Sequence, residues 1–182
     1  MEQNTKGGLV WGLTVGACML FALATPTGQA ILGRVPQLIG MDLNKKPISI
    51  PASLTAERTL VLVSFQRGHG KDIDTWISGM SLREGGAVQY VRMPILNDPG
   101  DLDGRSAIET RLQARVTNPQ ERAKVVAVFT DQQAFMKSVG LTSTQHISAL
   151  VLNRSGEVLA RVEGPFSAEK KGLIDGALKA SL

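Results

Sequence analysis

Between Thr59 and Phe65 the chain runs Thr-Leu-Val-Leu-Val-Ser-Phe, almost unbroken apolar and partly β-branched. Such a run marks a central strand buried on both faces. Directly after it the spacing changes. Ile73, Trp76, Ile77 and Met80 fall at i, i+3, i+4 and i+7, which is one face of a helix. Asp72 stands near the start of that helix, where a carboxylate suits the exposed amides, and Gly85–Gly86 supplies the stop. Ala87–Ile95 reads as a second strand, Ile108–Val116 as an exposed helix and Lys124–Phe129 as a third strand. Gln132–Val139 is a short helix opened by Thr130 or Asp131 and ended by Gly140. Ile147–Leu152 and Glu157–Val162 are strands joined by the tight turn Asn-Arg-Ser-Gly. Pro165–Phe166 breaks the chain, Ser167 caps, and Leu173, Ile174, Ala177 and Leu178 form the inner face of a last helix. Upstream, Asp42–Ile50 alternates as a hairpin turning at Asn44–Lys45, and Gly33–Met41, broken by Pro36, reads as a linker.

This order is hairpin, β, α, β, α, β, α, β-hairpin, α. It predicts an α+β sandwich with a central mixed sheet of about five strands flanked by helices. The chain of 182 residues, 43% apolar and 20% charged, can bury one domain's core. Its net charge of +4 is scattered and only 4% of residues are aromatic. No basic, aromatic-laced stripe for nucleic acid is visible, so no nucleic-acid partner is expected.

The first thirty residues differ from the rest. After Lys6 no charge appears until Arg34, and Leu9–Thr25 is an apolar run. Two readings stand. One is a signal peptide cut after Ala30. The other is an uncleaved anchor, since a spanning helix needs about 17–25 apolar residues. Either predicts an exported domain, in the periplasm, soluble or held at the inner membrane through residues 9–25. The expected division is 1–30 signal or anchor, 31–41 linker and 42–182 domain. Cys18, the only cysteine, lies inside the apolar run and reads as a small apolar residue of that segment. From Ile31 onward there is no thiol, which excludes thiol–disulfide exchange and peroxidatic cysteine chemistry in the domain.

The stretch Leu60–Trp76 with its neighbours resembles the thioredoxin-like fold in its peroxiredoxin-type form. It is similar to the strand, active loop and helix of membrane-attached thiol oxidoreductases. On that pattern Gly70 and Ile73 take the two cysteine positions, and Ile147 takes the place of the cis-proline. The resemblance covers nearly all of Asp42–Leu182. Two cysteine-less branches fit best. One is the thioredoxin-like assembly factor family of the mitochondrial ATP synthase, echoed by Trp76, Val88–Val91, Val139–Leu141, Ala149–Val158 and Gly164–Glu169. Ala160–Arg161 departs from it, standing where an aromatic is common. The other is a group of uncharacterised periplasmic thioredoxin-like proteins. The resemblance implies a binding or assembly role without catalysis, with a protein or peptide partner, in or beside a membrane complex, that the motifs do not name.

The candidate site follows from these elements. Arg67, Gly68, His69, Gly70, Lys71 and Asp72 form a Gly-flanked cationic turn at a helix start, which suits an anion or a carboxylate-bearing partner. Its plain alternative is a solvated turn with glycines for tight geometry. In this fold the segment His146–Ile147 faces that turn, so a shallow groove between the two is expected, floored by open amides from Gly70 to Ile73. His69 and His146, the only histidines, would then be neighbours. They are the residues on which a rival reading rests: a metal, small-molecule or hydrolytic site. No third ligand is evident, and no metal or other cofactor is expected. The loop Asn97–Gly104 is acidic but lacks calcium-loop spacing, with Pro99 at the first ligand place and Thr110 at the last. Ser64, Thr75 and Ser148 show no spacing of a Ser-His-Asp triad. Trp76 is expected in the core, with an interface role second.

Overall fold

The structure is a computed structural model that describes residues 30–84 and 88–180. The apolar run Leu9–Thr25, Cys18 and the pair Gly85–Gly86 lie outside the described residues; the helix expected to run to Gly85–Gly86 instead ends at Gly79, where Met80 caps it and the chain turns.

Seven strands form one sheet. In chain order they are β1 (Leu38–Asp42), β2 (Pro47–Ile50), β3 (Arg58–Ser64), β4 (Gln89–Leu96), β5 (Val126–Phe129), β6 (Ser148–Asn153) and β7 (Val158–Glu163). Their spatial order is β2-β1-β5-β4-β3-β6-β7. β3, β4 and β5 are parallel, while β6, β7, β1 and β2 are antiparallel to their neighbours. The helices are α1 (Gly70–Gly79), α2 (Leu102–Gln113), α3 (Pro119–Arg122), α4 (Gln132–Val139) and α5 (Ala168–Lys179). A mixed sheet flanked by helices is the expected architecture, with two strands more than anticipated.

The strand period of two divides the apolar run of β3 between two cores. Val61 and Val63 join Met93, Ile95, Val126, Val128, Leu150 and Leu152 under α4, which contributes Phe135, Met136 and Val139. Leu60 and Leu62 join Ala149 and Val151 on the other face, under Ile73, Trp76 and Ile77 of α1 and Ile174 and Ala177 of α5.

Of the two added strands, β2 lies in the expected hairpin and β1 comes from the presumed linker. Leu38–Asp42 is β1, and residues before it are tied to β7 by Leu32 N–H to Val158 O (2.8 Å) and Val158 N–H to Gly33 O (2.8 Å). Gly33–Met41 therefore belongs to the folded unit. Gly40 explains how β1 reaches β5: a Cβ there would lie 2.5 Å from Val126 Cγ1 and 2.9 Å from Ala127 O. The predicted hairpin turn at Asn44–Lys45 is present. The buried Asp42 carboxylate organises it, accepting from the amides of Asn44 and Lys46 at 2.8 Å each.

Three local differences have clear causes. α2 starts within the expected loop, because Asp101 caps it by accepting from Gly104 N–H (2.6 Å). α3 was not expected, although Asn118 caps it and Pro119 sits at its first position, a recognisable start signal. Leu173 points outward, 59% exposed, so the inner face of α5 is Ile174 and Ala177 with Leu178 at its edge.

No helix among the described residues is long and apolar enough to cross a membrane.

Candidate functional site

Strand β3 ends at Ser64, and the chain then makes a single 3-10 turn, Arg67–His69, that feeds directly into α1. Arg67, Gly68 and Lys71 are exposed. Gly68 and Gly70 do not need glycine's conformational freedom: Gly70 is ordinary right-handed helix, and neither has a positive φ. A Cβ on either would meet nothing within 4 Å. The fold therefore does not require glycine at these positions, and the tight-geometry explanation fails. Asp72 lies in the first turn of α1, but no side chain caps that helix.

The loop ahead of β6 meets one flank of the turn through Thr144 and Gln145, just before the expected His146–Ile147. The groove between them is bridged, however. Gln66 Nε2 donates to Thr144 O (3.2 Å), and the His69 ring spans the remaining gap. His69 is 5% exposed; its Nδ1 accepts from Phe65 N–H (3.4 Å) and its Nε2 lies 3.1 Å from Gln145 O. This pair of contacts fits the neutral tautomer with the proton on Nε2. His69 is thus a brace between turn and loop, where an exposed cation was expected. With both ring nitrogens engaged, it has no lone pair to offer a metal. His146 is exposed on the loop. Among the described residues no three His, Cys, Asp or Glu side chains converge. Ile147 is fully buried, and its carbonyl accepts from Gly164 N–H (2.8 Å). The one cis peptide among the described residues is Ile50–Pro51, so the bond preceding Ile147 is trans.

Trp76 fixes the other end of α1. It is fully buried, donates Nε1–H to Gly164 O (3.1 Å), and meets Phe166 edge-to-face with centroids 5.3 Å apart. The serine and threonine hydroxyls are not assembled for catalysis. Thr75 Oγ1 donates to Asp72 O (2.7 Å), Ser148 Oγ is buried without a partner, and Ser64 lies beside the turn.

The open space lies over β4, bordered by Val125 just ahead of β5. A cleft of about 360 Å³ is walled by Ser64, Phe65, Gln66, Arg67, Gly70 and Ile73 from the turn and helix start. Arg92, Pro94 and Leu96 of β4 form its floor, and Ile108, Leu112, Arg115 and Val116 come down from α2 and its end. It exists because α2 stands off the sheet. None of the helix's twelve residues is buried, although Ile108 and Leu112 stand one turn apart toward the cleft and Val116, just past the helix end, joins them there. Sequence reasoning passed over this cleft. The one visible signal was Arg92, a guanidinium set inside the apolar strand run Gln-Tyr-Val-Arg-Met-Pro-Ile.

A second polar cluster sits beneath α3. Tyr90 Oη donates to Glu121 (3.0 Å), and Lys124 pairs with the same carboxylate (3.0 Å). Burial, then the hydrogen bond to Glu121, raises the Tyr90 pKa. For Glu121, burial acts upward, but the hydrogen bonds from Lys124 and Tyr90 and the charges of Lys124 and Arg83 outweigh it and hold the carboxyl below its ordinary range.

No protein-family model matches the chain, and no curated protein matches it. Solved structures do. A protein from Aquifex aeolicus VF5 superimposes with a TM-score of 0.56 at 14% identity, covering 82% of this chain and 93% of that one. BsSco, a member of the Sco family of cytochrome c oxidase assembly proteins, gives 0.55 at 15% identity over 82% of this chain and 95% of its own. The exposed lipoprotein thioredoxin Etrx1 of Streptococcus pneumoniae gives 0.52 at 7% identity over 80% and 100%. At such identities the likeness is one of fold. The chain has the thioredoxin-like fold, with no cysteine from Ile31 onward and Gly70 and Ile73 at the start of its first helix.

Proposed function

We propose that this chain is an exported, non-catalytic thioredoxin-like domain that binds a protein or peptide partner beside the membrane and aids assembly of a membrane complex. One observation carries the reading: the turn Gln66–Asp72 has no thiol but presents two exposed cations, Arg67 and Lys71, on backbone left open at Gly68 and Gly70. The partner segment is expected to be acidic or to end in a carboxylate, matching that charge. Because His69 and Gln66 bridge the turn to Thr144–Ile147, the outer surface of the turn is the accessible part, with His146 at its margin. The apolar run Leu9–Thr25 supports placement at or beyond a membrane. The description of BsSco as a member of an assembly-protein family agrees with such a role.

The rival reading, a metal or hydrolytic site at His69 and His146, is weakened by the two hydrogen-bonding contacts of the His69 ring.

The test is charge reversal at the turn. Arg67→Glu with Lys71→Glu should abolish the capture of partners cross-linked by the wild-type chain at low salt, where screening is weakest. Both side chains are exposed, so stability should stay within about 0.5 kcal/mol. Capture unchanged from wild type would refute the reading.

A further inference from the structure

The cleft over β4 has a composition that selects its occupant. Its apolar walls come from Phe65, Ile73, Leu96, Ile108, Leu112 and Val116. Three arginines, Arg67, Arg92 and Arg115, line it, and among the described residues no Asp or Glu does. Arginine beside apolar surface is ordinarily answered by a carboxylate. Here none of the three guanidinium groups makes a hydrogen bond or ion pair among the described residues, and Arg92 Nε is buried without any partner. Arg92 cannot reach water at that atom, so its N–H bears the full cost of an unmade bond. Elsewhere in the same protein the arginines near acids are paired: Arg34 with Glu157, Arg83 with Asp74, and Arg105 with Asp98.

We infer that this cleft is a binding site for a small organic anion: a monocarboxylate head held by Arg92 and Arg115, with an apolar body lying under Ile108, Leu112 and Val116. The guanidinium fork matches a carboxylate in shape as well as charge. The volume of about 360 Å³ falls at the lower end of the range for small-molecule sites and is short for a folded segment of another protein. The standing-off of α2 is explained by the same assignment. Its apolar row is half-buried against the cleft and would complete its burial on a ligand's apolar body. This site goes beyond the partner-binding reading and does not depend on it, since it uses Arg92 and Arg115 in place of Lys71.

The experiment uses the full chain in a non-ionic detergent and three probes: 3-phenylpropionate, its neutral analogue 3-phenylpropanol, and acetate. Binding is followed by ligand NMR, with detergent alone as background. The acid should bind saturably at one site. The alcohol, lacking the charge, and acetate, lacking the body, should each bind at least about tenfold more weakly, since a hydrogen-bonded charge contributes about 1.5–3 kcal/mol. Arg115→Gln changes an exposed side chain and should weaken the acid about tenfold without affecting the alcohol. Arg92→Met should do the same; should that variant fail to fold, the Arg115 result decides alone. The proposal is overturned if acid and alcohol bind alike, if no probe saturates, or if Arg115→Gln binds the acid as wild type does. A short peptide with a C-terminal Phe carboxylate binding more tightly than the free acid would replace the small anion with a chain terminus. Loss of acid binding in Arg115→Gln with partner capture intact, or loss of partner capture with acid binding intact in Lys71→Glu alone, separates the two sites; Arg67 borders both.

Discussion

Trp76 is the residue whose removal should cost this domain most. Its indole is fully buried, caps the α1 side of the core, donates to the carbonyl of the buried Gly164, and stands edge-on to Phe166. Trp76→Ala removes the ring and leaves a cavity, a change of about 3–5 kcal/mol. It also strands the Gly164 carbonyl, which adds about 1–3 kcal/mol. The total approaches the whole stability of an ordinary domain, about 5–15 kcal/mol, so this variant should be barely folded. Trp76→Phe isolates the polar part. It retains much of the apolar contact and should lose about 1–3 kcal/mol through the unmade hydrogen bond and the smaller ring. A double-mutant cycle with Phe166→Leu measures the ring pair, expected to couple by about 0.5–1.5 kcal/mol. The assay is urea unfolding followed by far-UV circular dichroism, because the substitution itself removes the indole that fluorescence would follow in this core. A loss below about 1 kcal/mol for Trp76→Ala would refute the reasoning, since it would place the indole at a surface.

Two further predictions concern packing and charge. Gly79→Ala should destabilise by about 1–3 kcal/mol in urea melts, because its Cβ would stand 2.4–2.6 Å from three Phe166 ring atoms; pairing it with Phe166→Leu should recover part of that loss. Glu121 has a folded pKa below its unfolded one, so its contribution to stability is present above the ordinary value of 4.5 and is lost as the pH falls through the lower folded value. Glu121→Gln should therefore flatten the fall in melting temperature on acidification below about pH 4.5 while leaving the neutral-pH curve's shape unchanged; an unaltered acid limb would refute the assignment.

Much of the fold was legible in the chain. β3, β4, β5, α4, β6, β7 and α5 match their expected spans within a few residues, and α1 matches at its start but ends at Gly79, ahead of the expected Gly85–Gly86, because each carries a strong period or a defined cap. α4 is the clearest instance: Asp131 accepts from the amides of Gln133 and Ala134, and Gly140 closes the helix at φ 72°. β1 was not legible. Its residues, Leu-Ile-Gly-Met-Asp, lack a clean alternation, and Ile39 points to solvent at 75% exposure. What makes it a strand is the edge of β5, which no local pattern reveals.

The site divides in the same way. The sequence alone determined that the turn after β3 holds cations and glycines and no thiol, since residue identity settles which chemistry is absent. It also placed His69 in that turn, but not what His69 does there. Only the tertiary structure brought the distant Gln145 carbonyl to Nε2, completing with the local Phe65 amide at Nδ1 the change from an apparent surface cation to a buried brace. The cleft belongs wholly to the tertiary level. Arg67, Arg92 and Arg115 are far apart along the chain and lie on a turn, a strand and a helix end. Their convergence without a carboxylate depends on the parallel order of β3, β4 and β5 and on α2 standing clear of the sheet. Local periodicity carries information over a few residues, whereas electrostatic complementarity is a property of groups that only the folded chain brings together.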